Sequence, residues 1–167
     1  LGHRLGSMVA ALAASAAGVR PDGLILWDPV YDGRTYLLQV LRQHLSAQLA
    51  ASGRVTVTRD QLLQKMMQGE RVSIEGYAFN REFCSGLCAA SWVDNPAVFD
   101  VPVLLAEVAP TDSAPLSGTA SKLAAAFPSV TATLVREPPF WRETREFAQS
   151  APRLAQATFE WLSGLGK

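Results

Sequence analysis

The chain has 167 residues, 49% of them hydrophobic, and its 15 basic and 15 acidic side chains cancel at pH 7. That length suits one domain with a packed core, and the composition excludes an intrinsically disordered chain, which needs low hydrophobicity and high net charge. A neutral chain has no general electrostatic pull toward nucleic acid or an anionic membrane, and no run approaches the roughly 20 apolar residues that span a bilayer.

Gly2-His3-Arg4-Leu5-Gly6 reads as a tight glycine turn entering a helix from Ser7 to about Ala17, with Ser7 as its cap and Gly18 as its stop. This helix is apolar on every side, the mark of a buried helix. Arg4 followed by Met8 to Ala16 also has the outline of a signal peptide. An Ala-rich stretch is the better helix former, however, and the chain starts at Leu1. Gly23-Leu24-Ile25-Leu26-Trp27 is a continuous apolar run, which fits a strand covered on both faces. Tyr36 to Ala51 spaces its leucines as an amphipathic helix. Thr58 opens another helix that Gly69 stops, Val72 to Tyr77 alternates as a short edge strand, and Asn80 caps a helix through about Ala90. Val101 to Val108 is a second buried strand, Leu116 to Phe127 a helix, Val130 to Val135 a third strand, and Pro152 opens the last helix. Strands alternating with helices predict an α/β fold, a doubly wound and mostly parallel sheet.

Cys84 and Cys88 sit four apart, on one face of a helix and too distant for easy disulfide geometry. With no histidine near them in sequence they form no zinc site. They read as small buried side chains on a helix face, compatible with a reduced, cytoplasmic location. Neither metal nor cofactor is expected.

Gly2-His3-Arg4-Leu5-Gly6 stands where an α/β-hydrolase carries its nucleophile elbow, G-x-S-x-G. More narrowly, four segments resemble the hydrolases associated with exosortase A protein-sorting systems, type 2. They are Gly2 through Ser7, Leu26-Trp27-Asp28-Pro29-Val30-Tyr31-Asp32-Gly33-Arg34, Ile74-Glu75-Gly76-Tyr77 and Pro138-Pro139-Phe140-Trp141. The resemblance implies the C-terminal half of an α/β-hydrolase domain over residues 1–167. Residues 1–30 then hold elbow, helix and sixth strand, 31–96 a helical lid insertion, and 97–167 the last two strands and helices. It also implies a missing N-terminal half of the same domain as partner, without which an open strand flank gives poor solubility.

In that family the elbow presents a nucleophile on a strained turn, and the helix N-terminus beneath it offers N–H groups to an oxyanion. The residue presented in this sequence is Arg4, whose guanidinium stays protonated and cannot accept an acyl group. An ordinary glycine turn opening an α/β helix is the plainer reading of the same residues. The family's acid position falls on Asp112, with Glu107 as a second candidate. The base should follow the eighth strand, yet residues 137–143 contain no histidine. His44, on the lid helix, reads as a surface or packing residue. Ser7, one turn past Arg4, is either a relocated nucleophile or a helix cap. Met66, Met67 and the lid leucines either line an acyl pocket or simply pack helix on helix.

The resemblance implies hydrolysis of acyl ester or amide bonds in a bacterial exosortase or exopolysaccharide context. The missing Ser-His-Asp triad leaves two alternatives: a catalytically inactive fold that binds a small anionic acyl or peptide ligand, or a structural partner of a sorting enzyme. Arg4, Leu5, His3, Asp28 and Glu137 are the candidate ligand-binding residues. Arg4, Asp28, Asp112 and Glu137 follow strands, or the place of one, and so should gather at the carboxyl edge of the sheet, where open α/β sheets bind ligands. There Arg4 either grips a carboxylate or phosphate two-pronged or neutralises its acidic neighbours in a salt-bridge network.

Overall fold

The computed structural model describes residues 1–16, 20–54, 56–74, 76–110, 115–141 and 150–165. Its elements are β1 (Gly2–His3), α1 (Leu5–Ala14), β2 (Leu24–Trp27), α2 (Gly33–Ser52), α3 (Arg59–Met67), β3 (Val72–Ile74), β4 (Tyr77–Phe79), α4 (Arg81–Ala89), a three-ten turn (Pro96–Phe99), β5 (Val103–Ala109), α5 (Gly118–Ala126), β6 (Val130–Arg136) and α6 (Pro152–Leu165). They divide into two compact units, residues 1–31 with 92–167, and residues 32–91.

The first unit is a parallel sheet in the order β1-β2-β5-β6, with His3 level with Trp27, Trp27 with Ala106 and Ala106 with Thr133. The apolar runs of β2 and β5 suit strands covered on both faces. Each connection steps one place across the sheet in the same direction, so right-handed crossovers set α1 and α5 on one face. On the other face α6 buries Leu154 against Leu104, Ala106 and Val135, with Ile25, Trp27, Phe140 and Trp161 around them. The Trp27 indole N–H donates to Thr158 Oγ1 at 3.0 Å, which ties β2 to α6. Trp92 is fully buried in this unit, its N–H donating to the Val30 carbonyl at 2.8 Å. This is the doubly wound α/β architecture that the strand–helix alternation predicts.

Three local details differ from the sequence reading. The opening turn contains a strand: Gly2 and His3 pair with Leu26 and Trp27, a two-residue ladder too short to leave a pattern. Helix α1 begins at Leu5, two residues before the expected cap, with Arg4 as N-cap and no side-chain cap bond. The stretch expected as one edge strand is an antiparallel hairpin, β3 with β4, turned at Gly76 with φ 85°.

The second unit packs α2, α3 and α4 with that hairpin around Leu37, Leu41, Leu62, Met66, Ile74 and Cys84. Asp32 caps α2, Thr58 and Gln61 form a reciprocal capping box on α3, and Asn80 caps α4. Gly33 is obligatory, because a Cβ there would lie 2.0 Å from the Leu87 carbonyl oxygen. No helix among the described residues is long and apolar enough to cross a membrane.

Candidate functional site

The register of β1 against β2 builds the site. His3 is level with Trp27, so the next rung brings Arg4 beside Asp28 at the carboxyl ends of their strands. The Arg4 N–H donates to the Trp27 carbonyl at 3.0 Å and the Asp28 N–H to the Ala106 carbonyl at 2.7 Å. Both residues then leave the sheet with positive φ, 53° at Arg4 and 42° at Asp28, the only non-glycine residues among those described to do so. Side chains resist this conformation by about 1–3 kcal/mol each, and such positions cluster at functional sites. At Arg4 the turn also draws α1 onto β1. A Cβ on Gly2 would lie 2.4 Å from the Gly6 carbonyl oxygen, so only glycine fits there, whereas a Cβ on Gly6 meets nothing within 4 Å.

The conformation aims the Arg4 side chain at Asp28 and Trp141, among its partners. Its Nη1 donates to Asp28 Oδ2 at 2.6 Å, and its guanidinium carbon lies 5.5 Å from the centre of the Trp141 ring. The other Asp28 oxygen accepts the Val108 N–H at 3.4 Å. The side chains of the pair are 23% and 18% exposed, so it is partly desolvated yet open to exchange. Trp141 belongs to an aromatic wall. His3 stacks on Phe140 at 5.0 Å and lies 4.8 Å from Trp141 with the two rings tilted at 58°. His3 Nε2 is buried without a hydrogen-bond partner among the described residues. Burial, and secondarily the Arg4 charge, hold the His3 pKa below its ordinary value, with Asp28 pulling weakly the other way.

The remaining candidates have their own partners. Ser7 is fully buried; its hydroxyl donates to the Arg4 carbonyl and accepts the Val30 N–H at 3.1 Å, locking the turn to the segment after β2. Leu5 is the first residue of α1. Glu137 is buried, and its carboxylate accepts the Arg153 and Leu154 N–H groups at 3.1 and 3.2 Å, capping α6. Glu107 accepts the Tyr31 hydroxyl at 2.8 Å and both the hydroxyl and N–H of Ser117, which starts α5. Buried against that carboxylate, the Tyr31 hydroxyl is pushed well above the ordinary phenol range by desolvation and then by the Glu107 charge. His44 pairs with Gln48 along α2. Asp112 lies outside the described residues. Among the described residues no serine, threonine or cysteine is hydrogen bonded to a histidine, and no group of three or more His, Cys, Asp or Glu side chains can hold a metal ion.

The structure thus brings together His3, Arg4 and Asp28, and adds Phe140 and Trp141, whose role the sequence does not announce. A permanent cation backed by an acid and flanked by an aromatic plane has the donor geometry to meet a carboxylate or phosphate group, and a guanidinium at position 4 is not itself a nucleophile.

No protein-family model matches the sequence, and no curated protein matches it. Solved structures similar to the chain, each at 13% identity, include an N-formylmaleamic acid deformylase from Pseudomonas putida and a thioesterase domain from the curacin biosynthetic pathway. Each aligns over 81% of this chain, and over 57% and 58% of its own, with TM-scores of 0.43 and 0.39. BpoC of Mycobacterium tuberculosis, described as a non-heme bromoperoxidase, aligns over 98% of this chain and 66% of its own with a TM-score of 0.51. The chain therefore spans 57% to 66% of the length of these structures. The likeness to BpoC extends over nearly the whole chain and concerns the fold alone: a mostly parallel sheet flanked by helices, arranged as in α/β-hydrolase-fold proteins.

Proposed function

We propose that this α/β-hydrolase-fold protein uses its elbow position to bind a carboxylate-bearing acyl or peptide ligand through Arg4 and does not cleave it from there. The observation that carries the reading is Arg4 at φ 53°, ψ −123°, on the N-cap of α1 and ion-paired to Asp28. An N-cap turn of this shape holds one side chain at a fixed point over a helix N-terminus, which favours an anion. The side chain delivered there is a guanidinium. Its fork accommodates a carboxylate two-pronged, with Asp28 yielding part of its share, while the Trp141 face keeps the cation oriented. Ser7 does not serve as a substitute nucleophile in this reading, because its hydroxyl is buried and bonded on both sides.

The test is an NMR titration of the protein from the complete reading frame with N-acetyl-leucine, following the amide resonances of Asp28 and Val108 and the indole N–H of Trp141, which neighbour Arg4. Saturable shifts that disappear in Arg4→Gln, and fail with the methyl ester of the same ligand, support the reading. Shifts that persist in Arg4→Gln refute it.

A second reading rests on the resemblance of Gly2–Ser7 and the Asp28, Gly76 and Trp141 segments to exosortase-associated hydrolases: an acyl ester or amide hydrolase of a bacterial sorting or exopolysaccharide system, with Asp112 as its acid. Its nucleophile and base would come from elsewhere in the protein. Fluorophosphonate treatment of the protein from the complete reading frame separates the two. A single serine adduct favours the hydrolase, and no adduct beside a labelled control hydrolase favours the binding protein.

A further inference from the structure

Helix α2 carries two sets of leucines with different fates. Leu37 and Leu41 are fully buried in the core of residues 32–91. Leu45 and Leu49, one and two turns further on, line a groove of about 360 Å³ opposite the start of α3, and Leu49 remains 52% exposed. Arg42, Leu45, Ser46 and Leu49 follow the i, i+3, i+4, i+7 spacing that makes one continuous stripe along a helix. Thr58, Arg59 and Asp60 form the facing wall. The groove therefore has an apolar strip with the Arg42 guanidinium at one end and the self-paired Arg59 and Asp60 across from it, which leaves one net positive charge in its lining.

The charges around this strip are unbalanced. Helix α2 has no acidic residue in its 20 positions, and its cations are Arg34 and Arg42. Arg59 is occupied by Asp60, which it contacts at 3.1 Å. Among the described residues Arg42 has no ion-pair partner. A second copy of the chain would set cation against cation if it docked here face to face, which is unfavourable. The volume of about 360 Å³ lies at the small end of ligand pockets and suits one small amphiphile.

We infer that the α2–α3 groove binds a linear aliphatic carboxylate, its chain along Leu45 and Leu49 and its headgroup at Arg42. This site shares no residue with the Arg4 cluster, and it stands whether or not Arg4 binds a ligand. Long-chain carboxylates suit it because apolar burial supplies most of the attraction while the exposed ion pair adds direction and selectivity.

The probe is sodium decanoate below its micelle concentration, titrated into the protein from the complete reading frame and followed by amide NMR. The expected result is saturable shifts at residues 42, 45, 46 and 49, unchanged in Arg4→Gln, which removes the other anion site. Arg42→Gln should weaken binding about threefold to fivefold, the scale of an exposed ion pair. Leu49→Asp should weaken it about tenfold or more by replacing apolar contact with like charge. Both side chains are exposed, so circular dichroism should show each variant folded as the parent. Decyltrimethylammonium, with the same chain and opposite charge, should not shift these residues. The inference is overturned if decanoate leaves them unmoved, if the ammonium compound binds equally, if Arg4→Gln abolishes the shifts, or if sedimentation shows a dimer that Leu49→Asp dissociates.

Discussion

Replacing Arg4 with alanine and, separately, with glycine divides its contacts from its backbone conformation. Both variants lose the 2.6 Å bond to Asp28 and the Trp141 contact, so that loss cancels in the comparison. For a charge-assisted bond between side chains 23% and 18% exposed, it amounts to about 1.5 kcal/mol in each variant. Alanine keeps a Cβ and must still sit at φ 53°, ψ −123°, at a cost of about 1–3 kcal/mol. Glycine removes that strain but gives the unfolded chain more freedom, which returns about 0.4–1 kcal/mol. Arg4→Gly should therefore be more stable than Arg4→Ala by about 1 kcal/mol, or about 2–4 °C in Tm for a chain of this size. Urea melts of both variants, with equal slopes, would measure the difference, and calorimetry would check it independently. An alanine variant as stable as the glycine variant would mean that the turn is not held in this conformation, and the presentation of Arg4 would lose its physical basis.

The two glycines of the turn should respond oppositely. Gly2→Ala forces a Cβ to within 2.4 Å of the Gly6 oxygen and should cost about 1–3 kcal/mol or more, whereas Gly6→Ala, on an open helix surface, should stabilise by about 0.5–1 kcal/mol; denaturant midpoints that move in the same direction would contradict the packing of α1 on β1. His3 is held neutral by burial, so below its ordinary pKa of 6.5 the unfolded chain binds a proton that the native residue refuses. Stability should be full above that pH and fall as pH drops through it toward the lowered native value. His3→Gln should flatten that part of the Tm–pH curve, and a profile identical to the parent's would remove His3 as its cause. Cys88 is exposed while Cys84 is buried with its thiol pushed up by burial and then by Cys88. A maleimide should label Cys88 in the native protein and Cys84 only on unfolding, and equal native rates would refute the placement of α4.

Long-range order was legible where the signal is repetitive. The runs at Leu24 and Val103 are strands because they lie in the covered middle of a parallel sheet, and Thr58 and Asn80 cap helices through bonds made three residues away. Strand β1 was not legible, since two residues have no period and their pairing depends on β2, more than twenty residues on. The start of α1 was misplaced because an apparent cap, Ser7, reaches backward to the Arg4 carbonyl and across to Val30. At the site, the charges that follow strands identified Arg4 and Asp28, but charge alone does not reveal which neighbours pair. Glu137 carries the same sequence signal and caps α6 through residues sixteen and seventeen positions later. Trp141 over Arg4 depends on the segment after β6 reaching back across the strand ends to β1, at the other edge of the sheet, a relation set only by tertiary packing.

The ends of the segment 32–91 leave and rejoin the chain side by side. Asp32 bridges Ser91 in antiparallel fashion, and the Gly33 N–H donates to the Ala90 carbonyl at 3.0 Å. The residues they interrupt are also neighbours, with the rings of Tyr31 and Trp92 5.6 Å apart. An insertion anchored in this way occupies a single gap in the parent chain. Changes of length or sequence inside its sixty residues enter and leave through that one gap, so they need not shift Tyr31, Trp92 or the register of the sheet strands on either side.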